Sequence, residues 1–287
     1  MGDSMLDKVS AYDKNGLMKH EIDNALGLLK QFRAKYPFAE NPESIGSLEP
    51  DDIFKVNSNE LGEFFRYLEF YLKPLGHLTI RGTTVYRKIR DQLEDFKDLL
   101  YFAVDKKKSL AEKVDAPWEK ISHMGADKHI AKKIIFCFNY ESGEVLPIFS
   151  TAHLRHFVNQ IVDAPNSPAK HYSLGDEYAY LTSELLKAKN NLPITKPWEI
   201  TYFARFLYNV YPPPEREFTT LDLSEGRRNR HIETEEQTEM REFAKLLQEL
   251  QTKQRINGEE FREYRDQWTK QPTDREALTQ RLKKLNA

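Results

Sequence analysis

The feature that most constrains this chain is the recurrence of apolar residues at three- and four-residue spacing in one segment after another. Ile22, Ala25, Leu29 and Phe32 form such a stripe near the N-terminus. This spacing places apolar side chains on one face of an α-helix. The pattern predicts a mainly α protein: a multi-helix domain with at most a minor extended segment, plus a C-terminal helical hairpin tail.

Turn residues and prolines set the expected helix ends, because proline cannot continue a helix and a Ser or Thr hydroxyl caps its first turn. Ser58, Ser150 and Ser173 are predicted N-caps, and Ser109 with Glu112 forms a predicted capping box. Residues 125–140 fit either a helix or a β-branched strand, and we favour the helix. The other long helices of the N-terminal part are predicted at about residues 16–36, 59–72, 83–104, 150–162, 173–190 and 198–211.

Three consecutive prolines, Pro212, Pro213 and Pro214, end this helical block. The residues after them are polar and lack a period, which is typical of a linker. Helical spacing returns later and ends in a predicted capping box of Thr273 with Glu276. We therefore predict a helical domain at 1–214, a linker at 215–233 and a helical hairpin or interaction tail at 234–287.

Composition excludes several classes of protein. The 43 basic and 45 acidic residues give a net charge of -2, so any nucleic-acid site must be a local patch. The single cysteine, Cys137, lies in the apolar run IIFCF and is predicted to be a buried structural thiol. One cysteine cannot form an intrachain disulfide, and no apolar run is long enough to span a bilayer. We therefore expect a cytoplasmic protein with no membrane contact.

No complete catalytic motif occurs in the sequence. The P-loop, dinucleotide-binding, serine-hydrolase and zinc-protease patterns are all absent, and we predict no cofactor. His153 and His156 share a helix face, but we favour half-exposed surface histidines over metal ligands. Asp115, Glu119 and Lys120 have the residue types of a metal-dependent nuclease without its spacing.

The best candidate site is basic, because lysines can bind phosphate groups through their charge. Lys128 and Lys132 are four residues apart, as are His129 and Lys133, which would place a basic face opposite Ile130. The alternative is a solvated face beside acidic neighbours, and no catalytic or metal-binding residue is predicted. The predicted nucleic-acid-binding residues are Lys106, Lys107, Lys108, Lys128, His129, Lys132 and Lys133.

Several segments between Arg81 and Pro214 resemble a known family. They include RGTTVYRKIRDQLEDFKDLL, GADKHIAKKIIFCFNY and, most specifically, LPIFSTAHLRHF. These segments look like the helical region that precedes the AAA+ NTPase module in prokaryotic McrB-like restriction ATPases. The resemblance implies a recognition or spacing role, with nucleotide chemistry belonging to an NTPase module that this sequence lacks. Separately, KLLQELQTKQRINGEEFREYRDQW is similar to C-terminal hairpins that serve interaction or oligomerisation.

These observations lead to three hypotheses of different classes. The first is a non-enzymatic nucleic-acid-binding or adaptor subunit of a prokaryotic restriction or defence system, with DNA and an NTPase or nuclease as partners. The second is a protein–protein scaffold, or a homo-oligomer formed through residues 234–287, without nucleic-acid contact. The third is a divergent metal-dependent nuclease that uses Glu119 or Glu141.

Overall fold

The protein is mainly α-helical and divides into two compact units, Met1–Pro214 and Glu215–Ala287. The boundary falls at the last of the three prolines, where the helical domain was expected to end. The predicted linker, 215–233, and Thr273 lie outside the described residues. The computed structural model describes residues 5–15, 19–78, 82–162, 173–214, 243, 246, 247, 249–251, 253, 255–270 and 274–286.

The first unit consists of helices joined by short turns, as the apolar spacing predicts. Its longer helices are α1 (Met5–Asn15), α2 (Lys19–Lys35), α5 (Thr84–Asp91), α6 (Leu93–Val104), α8 (His129–Asn139), α9 (Thr151–Ile161), α10 (Leu174–Asn191) and α11 (Ile200–Val210). Its short helices are α3 (Pro50–Ile53), α4 (Glu63–Arg66) and α7 (Leu110–Asp115), with a π-helix at Tyr67–Tyr71 and 3₁₀ turns at Pro42–Ser47, Lys73–Leu75, Trp118–Lys120 and Tyr140–Ser142.

Aromatic side chains hold the core of this unit together. The ring centroid of Phe32 in α2 lies 5.4 Å from that of Phe64 in α4 and 5.4 Å from that of Phe138 in α8, so these three helices meet at Phe32. Aromatic pairs at this distance contribute beyond the area they bury. Helix α10 packs against α7 and α9. Gly175 allows α10 to approach α7 closely, because a Cβ at this position would lie 2.2 Å from the Ala111 carbonyl oxygen.

The expected second helix is wrong at its start. Residues 54–61 instead form a two-stranded antiparallel hairpin, β1 (Phe54–Lys55) and β2 (Glu60–Leu61), with Phe54 opposite Leu61. Asn59 has a φ of 55°, a turn conformation, so Ser58 lies in the hairpin turn and caps no helix. Helix α4 begins at Glu63 after Gly62.

Two further helix limits differ from the prediction. The helix expected over 83–104 is broken at Gln92, whose ψ of 43° leaves the helical range. The side-chain amide of Gln92 donates a 3.2 Å hydrogen bond to the Lys120 carbonyl, which holds the break in place. Helix α11 begins three residues after Pro197, because the Glu199 carboxylate caps it through the N–H groups of Thr201 and Tyr202.

Other local predictions are confirmed. Ser109 and Glu112 form the expected capping box of α7, and the hydroxyls of Ser150 and Ser173 cap α9 and α10. Residues 129–139 are helical rather than extended. None of the helices among the described residues has the length and apolar character needed to cross a bilayer.

The second unit has an apolar core of its own. Described helices are Gly258–Lys270 and Arg275–Asn286, and the Phe243 and Trp268 rings stack with centroids 5.3 Å apart. Leu278 and Leu282 are buried, whereas Leu285 is exposed, so the final helix presents only part of its expected stripe inward. The arrangement of the tail as a hairpin stays a prediction.

Candidate functional site

The residues Lys106, Lys107 and Lys108 form a loop between α6 and α7, which we call the lysine loop. Asp105 shapes it, because its carboxylate accepts the Lys107 N–H at 2.8 Å and its carbonyl accepts the Lys108 N–H at 3.2 Å. The Ser109 capping box fixes the other end of the loop. Both ends are therefore anchored by local hydrogen bonds, so the lysines are held on a defined turn.

Two of the three lysines of the loop face solvent. Lys106 and Lys107 are exposed, and within the described residues neither ammonium group lies within ion-pair distance of a carboxylate. Lys108 is half-buried, with its Nζ 3.2 Å from Glu112 Oε1. The backbone and hydroxyl of Ser109, followed by Lys108, lower the pKa of Glu112 to about 2. Glu112 therefore stays ionised and offsets part of the charge of Lys108.

An aromatic pair adjoins the lysine loop. Tyr101 and Phe102, in the last turn of α6, are each 40% exposed. The Lys108 Nζ lies 5.8 Å from the centroid of the Phe102 ring, so ring and ammonium share one surface. The sequence analysis did not single out these two residues. The signal was present, because the apolar stripe of this helix runs through Leu100 and Ala103 and leaves both aromatics outside it.

Lys128 and His129 are half-buried and already paired. The Lys128 Nζ donates to the Ala116 carbonyl at 3.0 Å and lies 3.1 Å from Glu119 Oε2. The His129 Nε2 is 2.9 Å from Asp127 Oδ2. Only 11% of the Lys128 side chain is exposed, so its charge is directed into this local network.

Lys132 of α8 is fully buried, and its ammonium group reaches the start of α9. Its Nζ donates to Asp127 Oδ1 at 2.5 Å, to the Thr151 hydroxyl at 2.7 Å and to the Phe149 carbonyl at 3.2 Å. Burial opposes ionisation of Asp127, but His129, Lys132 and Thr151 together lower its pKa below the ordinary 3.8. Asp127 also accepts the Thr151 N–H at 2.9 Å, so the ion pair of Asp127 with Lys132 connects α8 to the first residue of α9.

Lys133 is also fully buried, and its acceptors are all backbone oxygens. The Nζ donates to the carbonyls of Leu72, Leu75 and Gly76 at 2.6, 3.1 and 2.8 Å. Burial lowers the pKa of Lys133 to about 8 from the ordinary 10.5. The ammonium therefore donates to carbonyls at and after the end of the π-helix, where helical partners run out, and the Leu72 carbonyl also accepts the Leu75 N–H at 3.1 Å.

The turn that receives Lys133 is fixed by more than the lysine. Arg205 of α11 donates to the Pro74 carbonyl at 2.9 Å and to the Lys73 carbonyl at 3.3 Å. Gly76 has a φ of 106°, and a Cβ there would lie 2.6 Å from the Phe149 ring. The two cations thus satisfy carbonyls along the whole turn, from 72 to 76, in a structural role.

The predicted basic face is therefore wrong for Lys132 and Lys133. Neither side chain is exposed, so neither can contact a phosphate group in this fold. Helix α8 carries apolar residues on every side, including Ile130, Ile135 and Phe138, and a helix that is apolar all round is buried. The lysines follow the helix into the core, where each finds several acceptors.

The carboxylates of the nuclease hypothesis have separate partners. Asp115 accepts the Gly175 N–H at 2.8 Å, Glu119 pairs with Lys128, and Glu141 pairs with Arg33 at 2.9 Å. Across the described part of the chain, no group of three or more His, Cys, Asp or Glu side chains is placed to hold a metal ion.

The two histidines of α9 and the cysteine of α8 also have identified surroundings. His153 and His156 are half-buried, with Nδ1 of His153 3.0 Å from the Tyr208 hydroxyl and Nε2 of His156 3.2 Å from the Tyr211 carbonyl. Cys137 is buried, as predicted, and burial raises the pKa of its thiol to about 11. A thiol with this pKa is protonated at neutral pH and is a poor nucleophile.

Comparison with protein-family models, with curated proteins and with solved structures finds no match to this chain. The resemblance of the segment 81–214 to McrB-like ATPases stays a prediction. The surface made by the lysine loop, Tyr101 and Phe102 is accordingly the best-defined candidate site, on geometric grounds.

Proposed function

We propose that this chain is a non-enzymatic nucleic-acid-binding or adaptor subunit of a prokaryotic restriction or defence system. The observation that carries the proposal is the exposure of the Lys106 and Lys107 ammonium groups on an anchored turn. Positive groups held on a fixed turn attract phosphates and release counterions when they bind them. The proposal covers Lys106, Lys107 and Lys108 and leaves out the four basic residues around α8.

The setting of the proposal comes from the resemblance to McrB-like ATPases. In that family the helical region is associated with target recognition or spacing, and by analogy an NTPase or nuclease partner would supply the chemistry here. The cytosol is the compartment we propose, where a lone cysteine such as Cys137 stays reduced.

A salt titration tests the proposal directly. The full chain is mixed with fluorescent single- and double-stranded DNA, and anisotropy gives the affinity at several salt concentrations. Loss of two phosphate contacts in Lys106→Ala/Lys107→Ala should make the negative slope of log K against log salt shallower, by about 1.4 for single strands and about 1.8 for duplex. The matched control is Lys30→Ala/Lys196→Ala, which removes two exposed lysines from α2 and from the segment before α11.

The result can contradict the proposal in two ways. Absence of salt-dependent binding to any DNA or RNA removes the nucleic-acid function. Equal losses of slope in the loop variant and in the control variant remove the assignment to the lysine loop, because the binding would then be a general effect of charge.

A neighbouring carboxylate offers a second test with the opposite sign. Asp98 is exposed on α6, one turn before Phe102, so its charge faces any phosphate bound beside the ring. Asp98→Asn should therefore tighten binding and make the salt slope steeper. Unchanged binding in this variant would mean that the nucleic acid does not approach the last two turns of α6.

A second candidate function is supported by the second unit. Residues of its separate apolar core include Leu247, Leu250 and Trp268, so this segment is a compact unit with a core of its own. A module of this kind can serve as a scaffold or oligomerisation element. Deletion of residues 231–287 should then reduce the mass measured by light scattering from that of a homo-oligomer to that of a monomer. The same number of chain copies per particle before and after deletion would exclude self-association through this unit.

A further inference from the structure

The aromatic pair beside the lysine loop provides a chemistry that the lysines alone do not. Tyr101 and Phe102 are large apolar side chains that the fold leaves 40% exposed at the end of α6. The same helix directs Phe96, Leu99, Leu100, Ala103 and Val104 into the core, and none of these is exposed. Tyr101 and Phe102 therefore offer part of each ring to a ligand at the surface.

The spacing of the two chemistries matters as much as their presence. The Phe102 ring centroid and the Lys108 Nζ are 5.8 Å apart, and the exposed Lys106 and Lys107 belong to the same turn. A nucleotide likewise carries its phosphate next to a flat base. A base stacked on the Phe102 ring would therefore bring its phosphate to the lysine loop.

We infer that the lysine loop with Tyr101 and Phe102 binds single-stranded nucleic acid, with bases stacked on the aromatic rings and phosphates at the lysines. This inference rests on the proposed function and names its substrate class. Proteins that bind single strands without sequence preference combine positive charge along the backbone with aromatic rings for the bases. A duplex cannot use the rings, because its bases are already stacked on one another.

The net charge of the chain favours a local, sequence-tolerant contact. With a net charge of -2, the protein has no broad positive field to wrap a long duplex. A short single strand needs only a few phosphate contacts and gains the rest of its affinity from stacking. Acidic side chains on α6, such as Asp98, confine the positive surface to the end of the helix.

Three probes of equal length separate stacking from charge, and the full chain is used throughout. They are a thymidine homopolymer of about 16 nucleotides, the same backbone with abasic sites, and a duplex. The wild-type protein should bind the homopolymer about tenfold more tightly than either of the other probes. Because the abasic strand keeps every phosphate, a difference between the two strands measures the bases alone.

The variants assign that difference to the rings. Tyr101→Ala/Phe102→Leu should bind the homopolymer and the abasic strand alike, with the salt slope of the wild type, because no phosphate contact has been removed. Phe102→Trp keeps an aromatic face and should retain the preference for the homopolymer. Circular dichroism of each variant checks folding, and the comparison of the homopolymer with the abasic strand on wild-type protein needs no variant at all.

Each outcome decides between the two levels of the proposal. Salt-dependent binding that is equal for the homopolymer and the abasic strand overturns the stacking inference and leaves the proposed function intact. A homopolymer preference that survives Tyr101→Ala/Phe102→Leu overturns the assignment to these rings. No binding of any probe removes both the inference and the nucleic-acid function on which it rests.

Discussion

Two groups of neighbouring lysines in this protein have opposite fates. Lys106 and Lys107 are exposed on a turn, whereas Lys132 and Lys133 are completely buried in α8. The difference lies in the residues around them, since the loop follows the end of a helix and α8 is apolar on all its sides. A lysine run therefore predicts a surface only where the surrounding apolar pattern leaves one side of the helix or turn to solvent.

The comparison also separates two uses of an ammonium group. Lys133 satisfies three backbone carbonyls at the end of a helical turn, which is a structural use. Within the described residues, the ammonium groups of Lys106 and Lys107 donate to no buried acceptor, so both remain available to a ligand. Substitutions in the two groups should consequently affect different measurements, stability in one case and binding in the other.

The largest expected effect follows from replacing Lys133 with methionine. Lys133→Met keeps much of the side-chain volume but leaves the carbonyls of Leu72, Leu75 and Gly76 without this donor. Because a buried polar group without a partner costs about 1–3 kcal/mol, we expect a loss of about 3 kcal/mol or more in the free energy of unfolding. Urea denaturation measures this loss, with Lys107→Met as the matched control. A loss under about 0.5 kcal/mol, the range of ordinary surface changes, would mean that other donors replace the ammonium.

Replacement of Lys132 should have the next largest effect, through its carboxylate partner. Lys132→Met leaves Asp127, half-buried between α8 and α9, without its nearest cation, and we expect a loss of about 2 kcal/mol. Asp127→Asn in the same chain should recover part of this loss, because it removes the unpaired charge. The coupling in the double-mutant cycle should be about 1 kcal/mol. Strictly additive losses would show that the two residues act independently.

The sequence predicts those parts of this fold that depend on neighbours in the chain. The caps at Ser109, Ser150 and Ser173 are confirmed because each hydroxyl reaches an N–H only three residues away. The break at Gln92 depends on the carbonyl of Lys120, and the acceptors of Lys133 lie about sixty residues earlier in the chain. No periodicity reports such distant partners, so these features could not be predicted.

The candidate site divides in the same way. The lysine loop could be recognised from the sequence, because it follows the end of a predicted helix and precedes a predicted cap. The burial of Lys132 and Lys133 could also be read from the sequence, since Ile130 and the residues of IIFCF place apolar side chains on every side of the helix. Tyr101 and Phe102 were readable only in part, because the sequence leaves them outside the apolar stripe of α6 but does not say how much of each ring the packing of α6 leaves exposed.

A pH titration tests the buried side of the comparison with a smaller effect. Folding lowers the pKa of Asp127 below 3.8, because the contacts with His129, Lys132 and Thr151 outweigh burial. The folded state thus keeps this carboxylate ionised at a pH where the unfolded chain is protonated. Its stabilising contribution is complete above pH 3.8 and is lost as the pH falls toward the lower folded value.

The matched comparison for this titration is wild type against Asp127→Asn. Both proteins share every other titrating group, so the difference in their free energies of unfolding reports this carboxylate. That difference should shrink as the pH falls from about 5 toward 3, as the unfolded chain takes up the proton that the folded chain refuses. A difference that does not change down to pH 3 would place the ionisation of Asp127 outside the linkage between folding and proton binding.

The smallest expected change in stability is at the lysine loop. Lys106→Ala/Lys107→Ala should alter the free energy of unfolding by no more than about 0.5 kcal/mol, because neither side chain has a buried acceptor to abandon. Urea denaturation measures it beside Lys133→Met on the same chain. If the loop variant loses as much stability as the buried one, the loop lysines support the fold and the contrast between the two groups fails. If Lys106→Ala/Lys107→Ala keeps its stability but loses salt-dependent binding, these two lysines serve binding rather than folding. The fold would then keep on its surface two ammonium groups that its own stability does not require.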